Sequence, residues 1–173
     1  MKKIITLFTA LLIVGAMNAQ SIITTEFSDY ETNESFTRVS ISKKMFEIIA
    51  NLDPDDAEEK DLIESVSKLD GLKIIVADSS ENPKALFDDT MKRLPNRFEE
   101  LMTVNDEDEH IVFLIDEKDG RVKELIMVMK GDDEFVMLSL FGDIDLKEIS
   151  KISRQMNIDH MDKLENLEDD DED

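Results

Sequence analysis

The stretch Phe98–Gly142, "FEELMTVNDEDEHIVFLIDEKDGRVKELIMVMKGDDEFVMLSLFG", decides the fold. Four runs rich in β-branched and aromatic residues alternate with short polar breaks, which is the pattern of consecutive strands. Asp119-Gly120 separates the second run from the third, and its glycine supplies the positive φ of a type I′ hairpin turn. "KGDDE" joins the third run to the fourth through a longer turn, and "NDEDEH" reads as a solvated turn between the first two. Strands joined this closely must be antiparallel, so the stretch predicts a four-stranded meander. "IVFLI" and "FVMLSLF" are apolar at both parities, so both faces of the sheet need a cover.

Upstream, helices alternate with strands. Thr37, Val39 and Ile41 alternate as in a short strand, and Ser42 is placed to cap a helix carrying Met45, Phe46, Ile49 and Leu52 at helical spacing. Asp53 as cap, Pro54 at the first position and Gly71 as stop predict the next helix, with Leu62, Ile63, Val66 and Leu69 on its buried side. "LKIIVADS" is a strand. Asn82-Pro83 opens another helix, which ends near Leu94 because Pro95 follows. Asp145 caps a last helix, Leu146–Met156, with Leu146, Ile149, Ile152 and Met156 on one side, and Asp143 is then a turn residue. The whole predicts an α+β domain: an antiparallel sheet with a C-terminal four-stranded meander, packed against about four helices.

"MKKIITLFTALLIVGAMNAQ" has the basic start, apolar centre and small-residue end of a secretory signal, with cleavage expected between Ala19 and Gln20. The apolar run is shorter than the roughly 20 residues of a spanning helix, so no transmembrane segment is expected once it is removed. The chain therefore divides into a signal peptide over residues 1–19, a flexible N-terminal arm over 20–35, one α+β domain over 36–164 and an acidic disordered tail over 165–173. Cysteine is absent, so packing alone has to hold the exported domain. Loss of Lys2 and Lys3 with the signal takes the net charge from −22 to −24. Such a field repels phosphate backbones and argues against nucleic acid as a partner, because the bases occur only singly or in pairs such as Lys43-Lys44.

No catalytic motif emerges. Nucleophile elbows, phosphate loops and cysteines are missing, and His110 and His160 lie outside recognised arrangements, so an enzyme is not expected and no cofactor is implied. Asp53–Glu64 imitates a calcium loop but has Ala57 and Glu58 where a ligand and a glycine are needed, and a capped helix start explains it better. Asp106, Asp108 and His110 could share one face of an extended segment as a loose metal site, though the hairpin turn is the simpler account.

The apolar excess of the meander leaves one candidate binding face: Leu125, Met127, Met129, Phe135 and Met137. Methionine suits an adaptable surface as well as a core. The N-terminal arm, a second subunit or a ligand would hide whatever the helices leave open.

"VSISKKMFEIIA", "FEELMTV" and "ELIMVMKGDDEFVMLSLFGDIDLKEISKI" closely resemble segments that typify the secreted Bacteroidota proteins grouped as domain of unknown function 4252. The likeness runs over about Phe36 to Leu164 in the same order. It implies a small exported protein of the periplasm or outer envelope of a Gram-negative bacterium, linked to envelope stress or signalling, and it carries over no catalytic residue. The reading is thus a noncatalytic interaction module whose partner is an unknown envelope protein or a second copy. The alternative is a carrier of a small apolar ligand such as a lipid or acyl chain.

Overall fold

The structure, a computed structural model, describes residues 20–54, 57–78 and 81–144. In chain order these form α1 (Ile22–Thr25), α2 (Ser28–Thr32), β1 (Thr37–Ser42), α3 (Lys43–Ile49), α4 (Ala57–Ser67), β2 (Leu69–Asp78), α5 (Pro83–Arg93), β3 (Glu99–Asn105), β4 (His110–Lys118), β5 (Arg121–Lys130) and β6 (Glu134–Ile144). The expected signal, the Asp145 cap, the helix Leu146–Met156 and the acidic tail lie outside the described residues.

The meander forms as predicted. β3 to β6 pair consecutively and antiparallel, and β2 then β1 extend the sheet on the β6 side, giving the order β1-β2-β6-β5-β4-β3. Asp119 and Gly120 turn the β4–β5 hairpin with φ of 57° and 73°, as a type I′ turn requires. Gly131 N–H closes the β5–β6 turn on Glu134 O at 2.8 Å, and Asp106 N–H closes the β3–β4 turn on Glu109 O at 2.9 Å.

Different parts of the described chain cover the first face and the β1–β2 side of the second. On the first face Ile75, Ala77, Val112, Leu114, Ile126, Val128, Phe135 and Met137 pack under α5 and under α1 and α2. Residues 20–35 are therefore not a loose arm. Ile22, Ile23 and Phe27 have no exposed surface, and Tyr30 and Phe36 complete the cluster. Isolated apolar residues in a polar stretch look weak in sequence, yet two short helical turns aim them all at one sheet face. Arg93 of α5 clamps the arm: its guanidinium pairs with both Asp29 oxygens at 2.6 and 2.9 Å and lies 4.5 Å over the Phe27 ring. Asp29 is held below the usual carboxylate range chiefly by that bond.

On the second face Phe46, Leu69, Ile111, Phe113, Val122, Leu125, Met129 and Ile144 form the other cluster, with α3 and α4 on its β1–β2 side. Here three expectations change. Ser42 precedes α3 but makes no side-chain cap bond. Leu69 and Gly71 do not end a helix: α4 stops at Ser67 and both residues belong to β2, where a Cβ on Gly71 would run into the Phe141 ring. Asp143 is not a turn residue either. β6 continues to Ile144 because Gly142, at φ 146°, lets the strand pass the β2 bulge at Leu69/Gly71. Asp143 then donates its N–H to Lys68 O at 3.0 Å and pairs with Arg121 and Lys123.

Candidate functional site

The five residues of the expected binding face do not share one. Val128 pairs with Met137 and Lys130 with Phe135, so Phe135 and Met137 stand with Val128 on the first face. Leu125, Met127 and Met129 point to the second face. Strand parity alternates with every residue, and two strands paired across a turn share a face only at matched positions. Leu125, Met129, Phe135 and Met137 are buried in the two cores, and Met127 is half-buried.

Exposed apolar surface lies elsewhere. Among the described side chains, Val39, Met45, Ile48 and Leu52 are the exposed large apolar residues, at 43, 50, 53 and 56 %. They fall on consecutive parts of the chain, here called the α3–β1 corner: Val39 on the terminal strand β1, Met45 and Ile48 on the adjoining α3, and Leu52 in the turn after it. The helix turns Phe46 and Ile49 to the core and Met45 and Ile48 outward, and Leu52 in the turn that follows it is exposed as well. A helix apolar on both sides was the available signal, since one sheet can bury only one of them. The same corner is locally basic: residues 37–52 hold Arg38, Lys43 and Lys44 against Glu47, in a chain of net charge −22. Lys43 reaches Asp70 at 2.7 Å and Lys44 reaches Glu47 at 3.0 Å, both as exposed pairs. Among the described strands β1 is terminal, so its outer backbone groups lack a strand partner.

A second polar feature escaped sequence reading. Glu124 sits in β5 at a core position, only 5 % exposed. Its Oε1 accepts the Ile22 N–H at 2.8 Å and the Ser139 hydroxyl at 2.5 Å. Ser139 Oγ lies 2.7 Å from Ser21 Oγ, which in turn accepts the Ile23 N–H at 3.1 Å and caps α1. Burial pushes the Glu124 carboxyl above its ordinary range, against the opposing pull of the Ser139 and Ile22 bonds. A charge at the same parity as Ile126 and Val128 was the signal: within a strand such a residue has to find buried partners.

At one end of the sheet a cleft of about 650 Å³ opens between the start of α5 and the β3–β4 and β5–β6 turns. His110 and Lys130 lie against the Phe87 ring, at 5.0 and 5.4 Å, with Asp88, Asp106 and Asp108 at the rim. His110 Nδ1 is engaged by Asn105 Oδ1 at 2.5 Å, and Asp106 Oδ1 accepts the Glu107 N–H, which is turn geometry. Among the described residues no group of three His, Cys, Asp or Glu is arranged to hold a metal. The calcium-loop imitation is helical from Ala57 onward, where a calcium loop would wrap its ion. No described helix is long and apolar enough to cross a membrane.

No curated protein and no solved structure matches the chain. A family model does, over residues 30–152, more than half of the chain and spanning the region from α2 through the whole sheet. The chain belongs to the family described as domain of unknown function DUF4252.

Proposed function

We propose that this protein is a noncatalytic binding module, exported through its first 19 residues to the cell envelope, whose partner surface is the α3–β1 corner. The observation that carries the reading is that the exposed large apolar residues among the described side chains, Val39, Met45, Ile48 and Leu52, all fall on β1, α3 and the turn after it. Burial of four such side chains is a substantial driving force, at about 25 cal/mol per Å² removed from water. The local bases Arg38, Lys43 and Lys44 favour a partner surface that is apolar with acidic groups at its rim. Two copies would present like-charged corners to each other and carry the same overall negative charge, which favours a different protein over self-association.

The carrier of a small apolar ligand has less support. The first face, which a curled sheet would offer to an acyl chain, is filled by Ile22, Ile23 and Phe27, and the end cleft is lined by polar and charged groups. Site-specific photo-cross-linking in the native envelope tests the proposal, with the reactive residue at position 48 and a control at the exposed Asp119. A discrete heterologous adduct from position 48 alone is expected. Equal labelling from both positions, or none from position 48, would overturn it.

A further inference from the structure

On the first face α5 packs over β5 and β6, and residues 21–30 lie beside it in the same cluster, filling the groove between helix and sheet. The groove grips the main chain of that segment. Glu124, 5 % exposed, accepts the Ile22 N–H at 2.8 Å, and Arg93 donates to Glu26 O. Every residue but proline offers such an N–H, so these contacts fix the path of a segment whatever its side chains. A purely structural core needs no carboxylate there, because burying one costs desolvation that an apolar side chain avoids. Side chains are read at separate points. Ser21 Oγ lies 2.7 Å from Ser139 Oγ, Ile22, Ile23 and Phe27 are wholly enclosed, and Asp29 meets the Arg93 guanidinium, whereas Thr24, Thr25, Glu26 and Ser28 are exposed.

We infer that this groove is a peptide-binding site, filled in cis by the chain's own N-terminal arm and open, once the arm leaves, to a segment of the same pattern from another polypeptide. The pattern is that of Ser21-Ile22-Ile23, Phe27 and Asp29: a hydroxyl, two aliphatic side chains, then an aromatic ring and an acid on the next turns. Main-chain hydrogen bonds joined to side-chain pockets are the means by which folded domains take up peptides. The arm itself has the character of a ligand. α1 and α2 have four and five residues, too few for a helix to hold alone, so docking is what orders them. Their tether to β1 passes through the exposed Glu34 and Ser35. The family match runs over residues 30–152, so it contains Arg93, Glu124 and Ser139 of the groove but not residues 21–29, which fill it.

The test severs the tether. In the full chain as exported, a specific protease site is inserted between Glu34 and Ser35, and after cutting a fluorescent synthetic peptide of residues 20–34 is added in excess. The severed arm is expected to stay with the domain on gel filtration and to exchange for the peptide, and a Phe27→Ala peptide is expected to compete worse by about tenfold or more. Unfolding of the domain on cutting, a severed arm that no excess of peptide replaces, or equal competition by a peptide of scrambled order would each overturn the inference. Should the inserted site disturb folding, the uncut Phe27→Ala chain gives a second reading. The natural peptide is expected to raise its melting temperature by several degrees, because it binds only the folded state, and to leave that of the natural chain unchanged, because the tethered arm competes at high effective concentration. A Phe27→Ala chain that the peptide does not shift would contradict the site. Neither readout depends on the α3–β1 corner having a partner.

Discussion

The backbone N–H of Ile22 donates to Glu124 Oε1 at 2.8 Å, which fastens the arm to a carboxylate in the middle of the sheet. Because burial raises the Glu124 pKa above its ordinary 4.5, the carboxyl supports the folded state most when protonated. Its contribution is complete below 4.5 and is lost as pH rises through the raised value. Glu124→Gln keeps a carbonyl oxygen for Ile22 and Ser139 but carries no charge. Relative to this variant, the natural protein should lose stability as pH rises from 4.5 towards neutrality, and the loss should level off once the carboxyl is fully ionised in the folded state. Urea melts across that range check it; a natural protein that gains on the variant as pH rises contradicts it.

Ser139 bridges Glu124 and Ser21, so Ser139→Ala removes one buried hydrogen bond from each and leaves Glu124 Oε1 with the Ile22 N–H and Ser21 Oγ with the Ile23 N–H. A cost of about 1 to 3 kcal/mol is expected. Denaturant unfolding should show the loss, and limited proteolysis should show earlier cleavage within residues 24–35.

Phe27→Ala tests whether the arm belongs to the core. Phe27 is fully buried, and removing such a ring costs about 3 to 5 kcal/mol. An arm that merely trailed from the domain would tolerate the change with no shift in melting.

The meander was legible in the sequence because its evidence is local: the Asp119-Gly120 turn with glycine where a positive φ is required, other short polar breaks, and runs of β-branched residues between them. So was α5, whose Asn82 side chain accepts the Ala85 N–H ahead of Pro83 and whose last residue is Arg93. Long-range facts were not legible. Nothing in "SIITTEFSDYETNE" states that Ser139, over a hundred residues away, completes its cap. The expected binding face failed on parity, since Phe135 and Met137 look like neighbours of Met127 and Met129 in sequence, and only the turn register puts them on opposite sides. Leu69 and Gly71 fit a helix end equally well in sequence, because a helix stop and a strand bulge both call for glycine.

Gly142 should be the least replaceable of the described glycines. At φ 146° a Cβ would meet the Lys68–Asp70 backbone at 2.7 Å, and backbone cannot yield as a side-chain tip can. Gly142→Ala should cost at least about 1 to 3 kcal/mol, whereas Gly131→Ala, with only ordinary contacts around its added carbon, should be nearly neutral. Paired thermal melts decide it.

Under the proposed function the α3–β1 corner binds a partner while contributing little to the fold. Ile48→Lys with Leu52→Lys replaces two half-exposed side chains, and surface changes of this kind usually stay within about 0.5 kcal/mol each. The decisive measurement is photo-cross-linking from position 45 in the native envelope, made with and without the double substitution on protein of matched melting temperature. A heterologous adduct is expected from the natural corner, and its loss, by tenfold or more, in the double variant. An adduct of undiminished yield from the lysine variant would contradict it.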